Sequence, residues 1–273
     1  MWTLRLALLL CLAAVVASAA SPGFRAAAAQ ADITPDGPQW LLGYQARQSA
    51  GVHDRIHHRV VALDDGKTQI YLVSSEFAVF APSFFDEFGR ELKQRTRIEP
   101  RQVWWTVTHT HSAPELGPGG IGKLFLGERY KHDYDHAYAK EVKDKLIAAI
   151  KEAHEKLFPA RLYIGTGRAE ANINRRERKP DGRIVLGKNP EGPVDRMIGL
   201  IRIERLDGGL VALIANYAMH GTVLGGKNLL ISGDAPGVVA SYVEAKLGAP
   251  MLYINGAEGN IAPLHSVEPD FRH

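Results

Sequence analysis

The chain has 273 residues, 45% of them hydrophobic and 23% charged, and its 33 Lys+Arg against 30 Asp+Glu give a formal net charge of +3. This is ordinary globular composition, long enough for one large domain or two small ones. Basic residues are interspersed with acidic ones even in the densest cluster, Asn174 to Lys179, so there is no nucleic-acid footprint.

In chain order, residues 1–20 read as a cleavable secretory signal peptide. Arg5 is followed by an apolar run from Leu6 to Val16 and a small-x-small pattern at Ala17-Ser18-Ala19. The run is too short to span a bilayer, so the expected location is secreted or periplasmic, with residues 21–273 as the mature domain. Cys11, the only cysteine, lies inside this peptide. The mature part therefore has no disulfide, thiolate ligand or cysteine nucleophile, and any metal must be held by His, Asp, Glu or Tyr.

Residues 56–77 predict a hairpin around Asp65-Gly66, a strong turn signal. A proline start and helical spacing predict a helix over 82–97. Residues 101–109 are rich in β-formers and read as a strand, 136–157 as an amphipathic helix, and 160–167 as a further strand. The polar stretch 172–195 reads as a long loop. Two strands then flank Asp207-Gly208-Gly209, a helix follows over 235–247, and a strand over 250–256. No closing element is expected after that strand. Alternating helices and strands with some hairpins predict an α/β fold, with mixed β-sheet layers covered by α-helices. The expected organisation is a single catalytic domain, incomplete at its C-terminus.

His109 ends the 101–109 run, and His111 follows two residues later at the start of a glycine-rich loop. Side chains alternate faces along a strand, so the two are expected to point the same way, about 6.6 Å apart along it. One could bind metal while the other moves protons, or both could bind. His220 offers a third imidazole, again at the end of an apolar strand and before a glycine, and strand ends are where α/β sheets place ligands. With no thiolate available, zinc is the metal that the ligand types favour. Phosphate-loop patterns begin at Gly117 and Gly221 but fail at Leu124 and Asn228, where the magnesium-binding hydroxyl belongs, so no nucleotide is expected. No G-x-S-x-G nucleophile elbow exists. His53 and Asp54 lie near a turn that could face a site. Asp234 is either a partner for a ligating histidine or a helix N-cap.

Residues 108–120, THTHSAPELGPGG, resemble the T-H-T-H-S-G-P-G-G signature of the neutral/alkaline non-lysosomal ceramidases. Further blocks agree in the same order: ADITP from residue 31, the block from Leu41, EANINRR from Glu170, NYAMHGTVLGGKNLLISGDAPGVVAS from Asn216, and YINGAEGNIAP ending at Pro263. The resemblance implies a zinc amidohydrolase that cleaves the N-acyl amide of ceramide or a related lipid by metal-activated water, with a membrane surface as the place such a substrate is met. It implies His109 and His220 as zinc ligands, His111 as acid/base and Arg175 as the oxyanion partner. The family's remaining ligands, a glutamate and a tyrosine, come from a part of the domain more C-terminal than these blocks. Asp234, Glu258, His265 and His273 are the residues that could substitute. Ala262 stands where the family has serine, and with the missing ligands it raises the alternative of a catalytically impaired ceramidase-like binding protein; a zinc esterase of different substrate class is a further alternative.

Overall fold

The computed structural model describes residues 23–117 and 120–267. The signal-peptide residues, Gly119 and His273 lie outside them. The strands are β1 (Arg25–Asp32), β2 (Trp40–Leu41), β3 (Arg47–Gln48), β4 (Gly51–Val52), β5 (His57–Asp64), β6 (Gln69–Ser75) and β7 (Val103–Val107). They continue with β8 (Phe158–Arg168), β9 (Asn172–Arg178), β10 (Ile184–Asn189), β11 (Met197–Arg205), β12 (Leu210–Tyr217), β13 (Leu230–Ile231), β14 (Met251–Asn255) and β15 (Ile261–Pro263). The helices are α1 (Pro82–Thr96), α2 (Gly120–Leu126), α3 (His136–Glu155) and α4 (Asp234–Leu247).

Eight strands form one sheet in the order β14-β12-β11-β8-β1-β5-β6-β7. Its middle is thin, because β1 and β8 pair only through Arg25↔Pro159 and Ala26↔Phe158. The sheet folds there into two leaves that face each other. Period-2 alternation explains why the leaves can stack. Val61 and Leu63 of β5 point into the space between the leaves, where they meet Ile203, Ile214 and Leu252. Val60 and Ala62 point the other way, onto α1 and α3 through Phe88, Val142 and Leu146. On the far leaf, Ala215, Tyr217 and Tyr253 pack under α4 around Ala240. The result is a helix–sheet–sheet–helix sandwich, the mixed α/β architecture expected from the element pattern. Among the described residues no helix is long and apolar enough to cross a membrane.

Local signals account for the helix boundaries. Pro82 opens α1, and Arg97 closes it in the left-handed region. Asp135 caps α3 by accepting from the Ala137 and Tyr138 amides, a cap that contributes about 1 kcal/mol. α3 buries Tyr138, Val142, Leu146 and Ile150, the apolar stripe that makes it amphipathic.

Two expectations need correction. The polar stretch 172–195 is not a long loop, because it contains β9 and β10, which pair as a hairpin. Its buried face carries Asn172 and Asn174, so the apolar alternation that marks a strand is missing. Asn172 Nδ2 donates to the Asp195 and Ala218 carbonyls, both at 2.7 Å, which makes the buried amide tolerable. A further strand also follows β14. β15 pairs antiparallel with β9, Ile261↔Asn174 to Pro263↔Asn172, in a small three-stranded sheet.

Candidate metal centre

The site forms where strand ends converge. β7 ends at Val107, β12 at Tyr217 and β14 at Asn255, and the residues following all three meet. This is the carboxyl end of strands, where α/β sheets hold ligands. His109 and His111 are not on the strand, contrary to the sequence reading. His109 has φ +60°, a conformation that His visits more readily than bulky residues, and this turn redirects the chain. The two imidazoles share a site because of the turn, not because of strand alternation.

The loops carrying the histidines are laced together. Thr110 bridges Gly221 in parallel fashion. The His111 amide donates to the Gly221 carbonyl at 2.8 Å, and Thr110 Oγ1 donates to the Ser232 carbonyl at 2.9 Å. Only glycine fits at 221, since a Cβ there would lie 2.7 Å from Thr110 Cα and 2.9 Å from the His109 carbonyl oxygen. Asp234, the first residue of α4, does not touch an imidazole. Its carboxylate accepts from the Val223 and Leu224 amides and from Ala235, which pins the loop just after His220. Asp54 accepts from Ser232 Oγ and the Gly233 amide, so it braces the Ser232 loop and does not enter the site.

The ring geometry follows from these supports. His109 Nδ1 donates to the Ala78 carbonyl at 2.7 Å, and His220 Nδ1 donates to the Glu258 carbonyl at 2.9 Å. A carbonyl can only accept, so both rings carry their proton on Nδ1 and present an Nε2 lone pair. His109 Nε2 and His111 Nε2 are 3.2 Å apart. The ring centroids lie 4.9 Å (109–111), 4.7 Å (109–220) and 5.6 Å (111–220) apart. One nitrogen from each ring lies within 4.8 Å of the others. Zn–N bonds of about 2.0–2.1 Å in a tetrahedron put neighbouring ligand atoms about 3.3–3.4 Å apart, a spacing that the His109–His111 pair matches, and the His220 nitrogen lies within 4.8 Å of both.

Burial keeps all three rings neutral. It is the largest cause lowering the pKa of His109, of His111 (well below the usual value), and of His220 (to about 3). The positive charge of Arg175 lowers all three further. His111 Nδ1 is buried with no hydrogen-bond partner. Neutral nitrogen donors, two of them held by carbonyls and with no thiolate among the described residues, fit a borderline divalent ion such as zinc.

Arg175 lies on β9, not in a loop, and its Nε and Nη2 donate to the Gly259 carbonyl at 3.2 and 3.0 Å. Glu258 stands beside the imidazoles. Its Oε1 is 3.8 Å from His109 Nε2 and its Oε2 is 3.7 Å from His220 Nδ1. Burial pushes its pKa up to about 8, against the opposing effects of Asn255 and Arg175. His265 is exposed. Ala262 on β15 is 1% exposed and packs with Ile173, so it offers a methyl group and no reactive atom.

The imidazoles open into a cavity of about 530 Å³ with apolar walls that include Leu42, Val79 and Leu126. Gly43 and Tyr44 also line it, and the sequence reading had no signal for them. A Cβ on Gly43, which has φ +120°, would lie 2.5 Å from His111 Cγ. The Tyr44 ring meets the His111 ring edge-on at 4.9 Å.

Fold and site together define an α/β sandwich with a buried histidine cluster able to hold one cation at the floor of an apolar cavity. Residues 24–264 match the family of neutral/alkaline non-lysosomal ceramidases over its N-terminal part, and the chain belongs to that family. It is 27% identical over 256 residues to the neutral ceramidase of Mycobacterium tuberculosis, covering 88% of this chain and 38% of that protein. With neutral ceramidase A of Dictyostelium discoideum it shares 30% over 234 residues, covering 79% and 31%. The crystal structure of neutral ceramidase from Pseudomonas aeruginosa superposes with a TM-score of 0.74 at 22% identity, covering 90% of this chain and 40% of that one. A ceramidase complexed with C2 gives 0.71 at 20%, covering 88% and 39%. These low identities show the shared fold. The chain spans less than two fifths of the length of these curated relatives.

Proposed function

We propose that the chain is the N-terminal part of a secreted or periplasmic zinc amidohydrolase that cleaves the N-acyl amide of ceramide or a related lipid. The observation that carries this reading is the meeting of His109, His111 and His220 at the floor of an apolar cavity, in a chain of the ceramidase family. The apolar walls suit an acyl chain, and a membrane surface is where such a substrate is met.

His109 and His220 would hold the zinc, each oriented by a carbonyl on its Nδ1. When bound, zinc supplies the Lewis acidity that makes water a nucleophile near pH 7. The resemblance gives His111 the proton transfer to the departing amine, and its Nδ1, buried without a hydrogen-bond partner, is the atom left to accept that proton. Arg175, cationic throughout, would face the charge developing on the carbonyl oxygen. Ala262 favours a second reading, a lipid-binding member without turnover, since no hydroxyl is present where the family has serine.

The test is zinc content of the purified protein, followed by hydrolysis of a fluorescent N-acyl sphingosine. His220→Ala should lose zinc and lower turnover by at least about a hundredfold, the scale of removing one electrostatic element of an active site. Turnover that survives complete chelation of metal would refute the zinc mechanism. A wild-type protein that binds zinc but turns over no N-acyl amide would favour the second reading.

A further inference from the structure

We propose that the β9–β10 hairpin docks the protein on an anionic phospholipid bilayer, beside the histidine site. Such docking deepens the function proposed above, on which it rests only for the lipid nature of the substrate, and it needs no metal. Residues 174–189 carry six Lys or Arg and two acidic side chains, a net of +4, whereas the whole chain carries +3. The other residues therefore sum to −1, and the cationic excess of the molecule sits on this one hairpin.

Along the chain the arginines are interrupted by acidic residues, but the fold sorts the two. Side chains alternate faces along a strand, so Arg176 and Arg178 share one face of β9. Glu177 takes the other, where its carboxylate covers Gly187. Glu177 pairs with Lys179 at 2.7 Å and Asp181 with Arg183 at 2.6 Å, so both acidic groups are engaged within the hairpin. Arg176 and Arg178 are exposed, and among the described residues no carboxylate lies within ion-pair distance of either. Ile184 of β10 stands directly across from Arg178 on the same face and is 59% exposed.

An exposed isoleucine beside two such arginines suits an anionic bilayer. Lipid phosphates attract the guanidiniums, by about five- to sixfold in partition for each basic residue near the surface, and the acyl boundary accepts the apolar side chain. Single-stranded nucleic acid is bound with aromatic side chains on which bases stack, and residues 172–189 contain none. The base of the hairpin adjoins the histidines. Arg175 and Arg176 donate through Nη2 to the same Gly259 carbonyl, at 3.0 and 2.9 Å, and the neighbouring Glu258 carbonyl holds His220 Nδ1. A bilayer held by Arg176 and Arg178 is therefore presented next to the site that takes its lipid.

The test is sedimentation of the metal-stripped full chain with vesicles of equimolar phosphatidylglycerol and phosphatidylcholine, and with vesicles of phosphatidylcholine alone. Wild type should bind only the anionic vesicles and leave them in high salt. Arg176→Gln with Arg178→Gln should weaken binding about thirtyfold, and Arg176→Lys with Arg178→Lys should keep it. Ile184→Ser should weaken binding about tenfold or more with its salt dependence unchanged. Lys140→Gln with Lys151→Gln removes the same charge from exposed positions on α3 and should bind as wild type does. The proposal falls if wild type binds both kinds of vesicle alike or neither. It also falls if the α3 pair weakens binding as much as the hairpin pair, because net charge alone then governs it. An Ile184→Ser that binds as tightly as wild type, or a single-stranded oligonucleotide that outcompetes the vesicles, assigns the hairpin to polyanions in general and overturns the bilayer. A protein that fails these tests but hydrolyses an N-acyl amide with zinc leaves the proposed function standing.

Discussion

His109 adopts a left-handed backbone (φ +60°) that costs about 1 kcal/mol or more at a non-glycine residue. The surrounding hydrogen bonds hold it there, and the reward is that its Nε2 turns toward His111 and the His220 ring. Gly221 is the matching requirement on the other loop. Gly221→Ala places a Cβ 2.7 Å from backbone that cannot move aside. The expected outcome is a loss of about 1–3 kcal/mol in urea unfolding, together with weakened zinc binding by calorimetry. An alanine variant of wild-type stability would mean that the two loops are not tightly packed.

Elements are tied together by charge as well as by apolar contact. Arg59 of β5 is 1% exposed and pairs with Glu76 at 2.5 Å and with Glu244 of α4 at 2.6 Å. This links the leaf next to α1 and α3 to the helix covering the other leaf, near the loop of Gly233 and Asp234. Arg59→Met would leave Glu76, fully buried, without its cation. Removing one partner of a buried pair costs about 3–5 kcal/mol, which denaturant unfolding would show. Adding Glu76→Gln to the same chain should recover part of the loss, because the unpaired charge is then gone. At this scale α3 was legible in the sequence and β9 was not. α3 repeats its apolar residues every three or four positions. β9 buries two asparagines whose partners, at Asp195, Ala218 and Pro193, are known only once the chain has folded.

For the whole molecule, acid should act through histidines buried in neutral form. His58 lies between β5, β6 and α3, with Nδ1 at 2.6 Å from Ser75 Oγ and Nε2 at 3.1 Å from the Val142 carbonyl. Burial lowers its pKa from 6.5 to about 3. The unfolded chain takes up this proton first, so the His58 contribution to stability is complete above pH 6.5 and is lost as pH falls toward about 3. The urea midpoint should fall across that window, and the slope should shrink in His58→Gln. An unchanged slope in the variant would assign acid sensitivity to other groups.

The sequence by itself determined the alternation of helices and strands, the turn at Asp65-Gly66, the lack of any cysteine after Cys11, the family motifs and the identity of the histidines. These depend on residue type and local spacing, which short-range sterics and hydrophobic periodicity read directly. Tertiary structure alone decided that β7, β12 and β14 end at one place, that a left-handed turn and not a strand brings His109 to His111, and that Glu258 stands beside them while Asp234 does not. Those facts depend on hydrogen bonds between residues more than a hundred positions apart, such as Thr110 to Ser232 and Asn255 to Thr108. No local pattern encodes such pairings, because they exist only when the two leaves of the sheet have closed on each other.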